Sequence, residues 1–370
     1  MDVVIKKDDS RNVGIDLLRP VSMFFVVVLH ALVHGGLLDG SPAGSAAYRA
    51  AWGLAAFAFC AVDIFALISG YVSYRGERRP TRFSSYLALW LEVVFYGLVI
   101  NGAFLLIKPA SVSLMRAAAV CAPVMTNRYW YFTAYTGLII IKPVLDAGLG
   151  RISQRTAVKL FIAVFAVFSV LNNVTDAFSL GKGYSFAWIA LLYVLGAIMK
   201  KCDIGAGVKP VFALLGIAAL WLVTWAWKLF WKTDFLPGGY VDNRLFVSYV
   251  SPTVLGMAVL FVILFSKLRP GRFARKAARF AAPGAFAVYV INEHWLIRTE
   301  IMKDNFAFLA QKPVPVMLAA VVGFAAAFVL ASLAVDKLRQ LLFRAARVDR
   351  AAEWVDRRLD IAVEKLTGKS

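Results

Sequence analysis

Residues 15–37, which read IDLLRPVSMFFVVVLHALVHGGL, decide the fold class of this chain. The stretch is apolar except for isolated polar side chains, among them Arg19 and His30. A run of about 20 apolar residues has the length that an α-helix needs to cross the hydrocarbon core of a bilayer. The stretch therefore predicts a transmembrane helix that carries ionisable side chains.

The same pattern repeats along the whole chain. Of its 370 residues 61% are hydrophobic, and its mean hydropathy is +0.71, whereas soluble domains contain roughly 45–50% apolar residues. The segments predicted to cross a membrane are 15–37, 51–74, 83–107, 129–149, 157–173, 184–200, 209–231, 246–267, 281–302 and 314–336. A further apolar stretch, 111–125, is too short to cross and is expected to lie at the interface or to re-enter. We therefore predict an all-α, polytopic membrane bundle of about ten transmembrane helices.

The basic residues indicate how this bundle is oriented. The net charge is +19, but Lys and Arg fall between the apolar segments instead of on one face, so no nucleic-acid partner is predicted. The loops after the second, fourth, sixth and eighth segments are basic, whereas the loop after the first holds only Arg49 and the loop after the fifth only Lys182. Because basic loops stay on the cytoplasmic side, both termini are predicted to be cytoplasmic.

The chain is predicted to consist of one integral-membrane domain, 1–336, followed by a basic cytoplasmic tail, 337–370. The tail mixes Arg with Leu, Val, Ala and Trp354 at helical spacing. Two interpretations of the tail stay open: a helix that lies on anionic cytoplasmic lipid, or a solvated helix that continues from the last span.

Ionisable residues inside transmembrane segments are costly and commonly functional, which directs attention to Arg19 and His30. Eleven residues of α-helix return to nearly the same face, about 16 Å further along the axis. An Arg can bind phosphate with a forked, permanent charge, and a His can remove the proton of a hydroxyl near neutral pH. The alternative interpretation is an Arg that anchors the helix at the head groups and a His that packs.

Two carboxylates are expected at a similar depth. Asp63 and Glu293 lie about halfway along the second and ninth segments, so each is predicted as a catalytic partner that orients the ring of His30. Asp63 is the preferred partner, and Glu92 and Asn101 are weaker candidates. The alternative for each carboxylate is an interhelical hydrogen bond that only serves packing.

No metal site is predicted. His30 and His34 with Asp63 resemble half of one, but no third His or Cys has a ligand-like spacing. The three cysteines, Cys60, Cys121 and Cys202, are far apart and are interpreted as packing residues. The motifs GxxxxGK[ST], HExxH and GxSxG are missing from the sequence, which argues against ATP-driven transport and serine-type hydrolysis.

Aromatic residues are concentrated at the predicted outer ends of the segments. Trp130 and Tyr131 open the fourth segment, and Tyr240 and Asp242 follow the seventh. Flat rings beside polar groups can line a groove for a sugar, so these four residues are predicted to bind the acceptor. An interfacial aromatic belt is the preferred alternative.

Three stretches of sequence resemble the membrane acyltransferase-3 family. The first segment is similar to its signature, an Arg followed by ten residues and a His, at Arg19 and His30. The second segment, VDIFALISGYVSY, resembles the family's Asp followed by an aromatic residue and Ser-Gly-Tyr, and the fourth, RYWYFTAYTGLIIIKPVLD, resembles its Trp-Tyr-Phe opening with a later Pro. Three degenerate matches in the right order are much more specific than any one of them.

This resemblance implies an enzyme of ten helices that uses acyl-CoA, usually acetyl-CoA, as a cytoplasmic donor substrate, with no permanently bound cofactor. It implies O-acylation of a cell-envelope or capsular carbohydrate, or of its lipid-linked precursor, in the bacterial plasma membrane. Carried over by position, Arg19 would engage the donor and His30 would act as the base, and two routes stay open: direct attack of the acceptor hydroxyl, or prior formation of an acyl-enzyme intermediate. Further donor-binding residues are predicted at Ser69, Tyr71, Arg75 and Lys142.

The sequence departs from the family in two places. The ninth segment reads VYVINEHWLI, where many relatives have a Tyr-Leu-Ile-His type of ending, and no hydrolase-like domain is expected after the last helix, unlike in the two-domain members. The rival hypothesis is a transporter or flippase for a small polar or lipid-linked substrate, since mid-membrane charges also suit alternating access. The inverted repeats that this alternative predicts are not recognisable in the sequence.

Overall fold

The computed structural model of the protein describes residues 12–74, 83–231 and 244–367. The regular elements of these ranges are helices, without a strand, which confirms the predicted all-α class. The longer helices are, in chain order, α1 (Val13–Val33), α2 (Ala46–Ala58), α3 (Ala61–Ser73), α4 (Phe83–Ile107), α5 (Trp130–Arg151), α6 (Gln154–Val164), α7 (Phe186–Lys201), α8 (Pro210–Phe230), α9 (Pro252–Ser266), α10 (Arg272–Ala281), α11 (Ala285–Glu293), α12 (Val314–Ala345) and α13 (Val348–Thr367).

Within the described ranges, seven helices are long and apolar enough to cross a membrane. They are α1, the kinked pair α2–α3, α4, α5, α6 with its extension to Thr175, α8 and α12. The other predicted crossings correspond to α7 and α9, which have 16 and 15 residues, and to a ninth segment that is divided between α11 and a π-helix. The count of ten is therefore not confirmed, and the cytoplasmic placement of the termini stays a prediction.

Helix α1 lies at the centre of the bundle and packs against α2, α3, α9, α10, α11 and α12. Two contacts of Asn12 fix its beginning, since this side chain accepts a hydrogen bond from the backbone N–H of Ile15 (3.1 Å) and donates one to the carbonyl of Ser266 (2.7 Å). Pro20 lies inside the helix, directly after Arg19, and has no backbone N–H to donate. The central position of α1 explains why most of its side chains are buried.

Two glycines allow α3 and α7 to pack backbone against backbone. A Cβ atom at Gly70 would lie 1.9 Å from the carbonyl oxygen of Tyr193, and one at Gly196 would lie 2.0 Å from that of Leu67. Small residues at such crossings let helices approach closely in the absence of a strong hydrophobic driving force. This contact holds Tyr71 of α3 against α7, where its backbone nitrogen would lie 3.0 Å from a Cβ atom at Gly196.

A buried charged cluster joins α4 to α12. Arg339 forms ion pairs with Asp336 (2.6 Å) and Glu92 (3.5 Å), and Tyr96 donates a hydrogen bond to Asp336 (2.8 Å). All four residues are buried. Glu92, one of the weaker catalytic candidates, is thus part of a cluster that joins two helices.

Helix α12 continues through the predicted domain boundary at 336 and ends at Ala345. Helix α13 follows it and packs on α4, where the Asp356 carboxylate accepts a hydrogen bond from the backbone N–H of Phe83 (3.2 Å). The tail is therefore helical over its described part. Its contact with lipid stays a prediction, as does the division of the chain at 336.

Candidate active site

The imidazole ring of His30 is held by two consecutive residues of α11. Its Nδ1 forms a hydrogen bond with Oδ1 of Asn292, and its Nε2 lies 3.6 Å from Oε2 of Glu293. Asn292 and Glu293 are almost completely buried, whereas the His30 side chain keeps 18% of its surface exposed. The ring is therefore fixed in position and still accessible on one side.

These contacts determine which nitrogen of His30 can act as a base. A carboxamide oxygen only accepts hydrogen bonds, so Nδ1 of His30 must carry the proton. The amide nitrogen of Asn292 faces the sulfur of Met302 at 3.9 Å, which agrees with this orientation of the carboxamide. Nε2 is then the unprotonated nitrogen, and it faces a carboxylate that can stabilise its protonated form.

Glu293 is in turn paired with an arginine. Its Oε1 accepts a hydrogen bond from Nη1 of Arg298 at 2.9 Å, so the other oxygen, Oε2, is directed at His30. A charge-assisted bond of this length favours the ionised form of the carboxyl group. The carboxylate of Glu293 thus lies between the imidazole of His30 and the guanidinium of Arg298 and contacts both.

A break in the ninth segment produces this arrangement. Helix α11 ends at Glu293, and His294 adopts an extended backbone with ψ of 131°. The ring of His294 accepts a hydrogen bond from the backbone N–H of Leu296 (3.2 Å) and contacts Asn101 (3.3 Å). A π-helix over Ile297–Met302 then carries Arg298 back toward Glu293. Non-helical backbone of this kind inside a membrane protein is tolerated where protein surrounds it, and π-helical turns are common at functional sites.

The contacts of Asp63 differ from the sequence-based preference. Its Oδ1 accepts a hydrogen bond from Nε1 of Trp188 (3.1 Å), and its Oδ2 has no hydrogen-bond partner among the residues described. The reason is the tight contact of α3 with α7, which brings the Trp188 indole to Asp63, while α11 brings Glu293 to α1. The carboxylate beside His30 is therefore Glu293, and a catalytic role for Asp63 stays a prediction.

Arg19, at the other end of α1, lies near residues of α3 and α5. The phenol of Tyr135 interacts with the Ser69 hydroxyl and lies within electrostatic range of the Arg19 guanidinium. The structure thus brings together two of the predicted donor-binding residues, Arg19 and Ser69, around a tyrosine that the sequence did not single out.

Of the other predicted donor-binding residues, Lys142 and Tyr71 have contacts on neighbouring helices. Lys142 is paired with Asp146 (2.5 Å), which also accepts a hydrogen bond from Tyr193 (2.6 Å). The ring of Tyr71 lies 5.3 Å from the ammonium of Lys200. Arg75 lies outside the described residues.

The predicted acceptor-binding aromatics are packed inside the bundle. The ring of Trp130 contacts Tyr184 (4.7 Å) and Tyr249 (6.1 Å), and Tyr131 is buried with only 4% of its surface exposed. This burial differs from an exposed sugar-binding groove. Tyr240 and Asp242 lie outside the described residues, so their predicted role is not addressed by the structure.

A series of tyrosine rings connects the Arg19 end of the bundle with the His30 end. The ring of Tyr131 is stacked on Tyr135 at 6.4 Å and contacts the edge of Tyr289 at 5.8 Å, and Tyr289 contacts Tyr129 at 6.3 Å. Tyr129 and Tyr289 lie within electrostatic range of Glu293. The hydroxyls of Tyr129 and Tyr131 are buried without a hydrogen-bond partner in the described part of the chain.

His34, at the C-terminal end of α1, contacts His30. The rings of His30 and His34 are 4.8 Å apart, in an edge-to-face arrangement. The described residues contain no group of three or more His, Cys, Asp or Glu that could hold a metal ion. The polar groups around His30 are the amide of Asn292 and the carboxylate of Glu293, which is itself bound by the guanidinium of Arg298.

Sequence reasoning missed three residues of this site: Asn292, Arg298 and Tyr135. Asn292 and Arg298 flank the Glu293–His294 pair, and four polar residues within seven positions of an otherwise apolar segment were an available signal. For Tyr135 the sequence gives no comparable signal, because tyrosines are frequent throughout the chain.

Comparison with known proteins identifies the family of this chain. The model of a family described as an acyltransferase domain, the acyltransferase-3 family, matches residues 12–335. Neither a curated protein nor a solved structure shows a significant match to the chain. The matched range includes α1 and both residues of α11 that hold His30. The chain therefore belongs to the acyltransferase-3 family and is a multi-pass membrane acyltransferase.

Proposed function

We propose that this protein transfers an acyl group, most simply acetyl, from cytoplasmic acyl-CoA to a hydroxyl of a cell-envelope or capsular polysaccharide or its lipid-linked precursor. The observation that carries the proposal is the environment of His30, in which Asn292 fixes one ring nitrogen and Glu293 faces the other. A carboxylate beside the ring can stabilise the positive charge that a histidine acquires when it acts as a general base.

The reaction proceeds by attack of a hydroxyl on a thioester. Nε2 of His30 removes the proton of the acceptor hydroxyl, and the oxygen attacks the carbonyl carbon of the thioester. The C–S bond then breaks, and the thiolate of the leaving coenzyme A takes the proton from the imidazolium. Glu293 stabilises the imidazolium between these two proton transfers.

The donor enters from the Arg19 end of α1. A coenzyme A molecule carries several phosphate charges, and the Arg19 guanidinium is suited to bind one of them. Arg19 and His30 are separated by about 16 Å of helix, a distance that an extended pantetheine arm can span. The tyrosines between the two ends, Tyr135 and Tyr131, then flank the path of this arm.

We infer the location from the sides of the membrane on which the donor and the acceptor would bind. A multi-pass enzyme with a cytoplasmic donor and an acceptor that reaches His30 from the opposite side would lie in the bacterial inner membrane. The acyl group would then cross the bilayer within the protein, while the coenzyme stays on the cytoplasmic side.

The test measures acyl transfer in membranes that contain the protein. Inverted vesicles receive acetyl-CoA with a labelled acetyl group; the label is followed into carbohydrate, and the released coenzyme A is measured through its free thiol. We expect incorporation with the native chain and none with His30→Ala, provided that the variant is present at an equal level and elutes as the same species in size-exclusion chromatography. Unchanged incorporation with a folded His30→Ala variant would refute the assignment of the base.

The same vesicles address the rival hypothesis of a transporter or flippase. Movement of a lipid-linked sugar across the bilayer without any acyl-CoA present, together with no release of coenzyme A, would replace the proposed enzyme by a transporter.

A further inference from the structure

A cleft on the other side of the α11 break has features that the proposed reaction at His30 does not use. It is open to the surface and is lined by residues of the α4–α5 connection and of the break, chiefly Arg116, Arg128, Tyr129, His294 and Trp295.

The cleft is adjacent to the proposed catalytic carboxylate. His294, in its wall, directly follows Glu293 in the chain, and Tyr129 lies within electrostatic range of both Glu293 and Arg128. A molecule in the cleft would therefore be bound beside the group that stabilises the protonated form of His30. The acceptor of the proposed reaction has to be bound close to His30 and Glu293.

The charges of the cleft favour an anion. Within the described ranges, neither Arg116 nor Arg128 forms an ion pair with an acidic side chain. Two guanidinium groups without an acidic partner repel each other, and a ligand that supplies a carboxylate or phosphate can accept forked hydrogen bonds from one or both of them.

The buried donors of the cleft favour a ligand that accepts hydrogen bonds. The Tyr129 side chain is only 3% exposed, and its hydroxyl has no hydrogen-bond partner among the described residues. The same holds for Nε1 of Trp295, a nitrogen that can only donate. Because unsatisfied buried polar groups are costly, these two groups indicate that the site is completed by a polar ligand.

The ring of Trp295 supplies a flat surface for such a ligand. It is stacked on His294 at 6.1 Å, and the Arg116 guanidinium lies 5.1 Å from its centroid. An aromatic face combined with charged and hydrogen-bonding groups suits a sugar ring that carries an acidic substituent.

We propose that the cleft formed by Arg116, Arg128, Tyr129, His294 and Trp295 is the acceptor subsite and binds a sugar residue that carries a carboxylate or a phosphate. This inference rests on the proposed function, since it names the class of acceptor for the same reaction. A neutral sugar would leave both guanidinium groups without a counter-charge.

The test is a binding measurement that needs no acyl donor. The purified full chain in lipid nanodiscs is titrated with glucuronate, glucose 1-phosphate and glucose, and binding is followed by calorimetry. We expect both anionic sugars to bind at least tenfold more tightly than glucose, since hydrogen bonds to charged groups are the stronger class. The ratio between the two anionic sugars identifies the acidic substituent.

Variants of the cleft test the residues. The double variant Arg116→Gln with Arg128→Gln should weaken binding of the anionic sugars at least tenfold and leave the weak binding of glucose unchanged. Trp295→Phe keeps a flat ring but loses the N–H group, and should weaken all three sugars a few fold. The matched control is Arg49→Gln, because this arginine makes its contact with the backbone of Gly44, in the loop before α2, and should leave binding unchanged.

Three results would overturn the proposal: equal binding of glucose and glucuronate, unchanged binding in the double arginine variant, or equally tight binding of inorganic phosphate, which would indicate a simple anion site. Failure of the proposed function gives a different result. Binding of glucuronate without any consumption of acetyl-CoA would support the cleft as a sugar site and refute the proposed reaction. Acyl transfer without binding of anionic sugars would support the proposed reaction and refute the role of the cleft.

Discussion

Replacing Glu293 by Gln is the sharpest perturbation of the proposed mechanism. The substitution keeps the size of the side chain and its ability to accept a hydrogen bond from Arg298, but it removes the negative charge 3.6 Å from Nε2 of His30. Only the protonated form of His30 interacts strongly with this charge. The substitution should therefore affect the transition state far more than it affects binding of the donor.

The magnitude follows from the geometry. Two unit charges 3.6 Å apart interact by about 4.6 kcal/mol at an effective dielectric constant of about 20. His30 is 18% exposed, so water screens part of this interaction, and we take about 2.7 to 4 kcal/mol as the loss in transition-state stabilisation. At about 1.36 kcal/mol for each factor of ten, kcat should fall by about 100- to 1,000-fold.

The assay is the initial rate of coenzyme A release in proteoliposomes, at a series of acetyl-CoA concentrations. We expect the KM for acetyl-CoA to change less than threefold, because Arg19 and the donor-binding end of the bundle are untouched. The matched control is Glu300→Gln, which removes the ion pair that Glu300, on the π-helix that also carries Arg298, forms with Lys108 (2.6 Å). Its kcat should stay within twofold of the native value.

A kcat for Glu293→Gln within threefold of the native value, in a protein that unfolds at the native temperature, would refute the role of this carboxylate. A large rise in KM with an unchanged kcat would also refute it, because that pattern indicates lost binding of the ground state.

Three further predictions concern the orientation of His30 and the packing of the helices. Asn292→Ala removes the acceptor that fixes Nδ1 of His30, and kcat should fall about 10- to 100-fold in the same assay with little change in the unfolding temperature; an unaltered kcat would contradict the assignment of the nitrogen. Gly196→Ala introduces a Cβ 2.0 Å from a backbone oxygen and should destabilise the protein by about 1–3 kcal/mol or more, measured by thermal unfolding in detergent, whereas Gly102→Ala, where no atom lies within 4 Å, should be neutral. Arg339→Met leaves its buried carboxylate partners, Glu92 among them, without a counter-charge and should cost about 3–5 kcal/mol of stability; a native unfolding temperature would show that the cluster does not fasten α4 to α12.

The helical membrane class could be predicted from composition and from the length of the apolar runs, because only about 20 apolar residues are needed to identify a crossing. Each of the ten predicted segments contains helix, but the segments of α7, α9 and α11 are shorter or interrupted. The sequence could not reveal the interruption of the ninth segment. Its residues VYVINEHWLI contain neither Pro nor Gly, the usual signals of a helix break.

The proposed base and the donor-binding Arg were recognisable because they lie on one helix, where a spacing of eleven residues fixes their relative direction. Both candidate carboxylates were predicted, but the sequence could not identify which of them lies beside His30, because each belongs to another helix. Asp63 was the preferred partner by sequence, whereas the structure places Glu293 there, and the neighbours that separate the two are Trp188 for the aspartate and Arg298 for the glutamate.

What the sequence determined by itself is the set of properties that depend on one segment at a time: the apolar length of each helix, the alternation of basic loops, and the shared face of Arg19 and His30. Only the tertiary structure decided which side chains of different helices meet. The backbone turns away from the helix at His294, and this single departure places Asn292 and Glu293 on one side, at His30, and Trp295 on the other, in the cleft. Such contacts depend on packing between distant segments, and a linear pattern of hydrophobic residues carries no information about that packing.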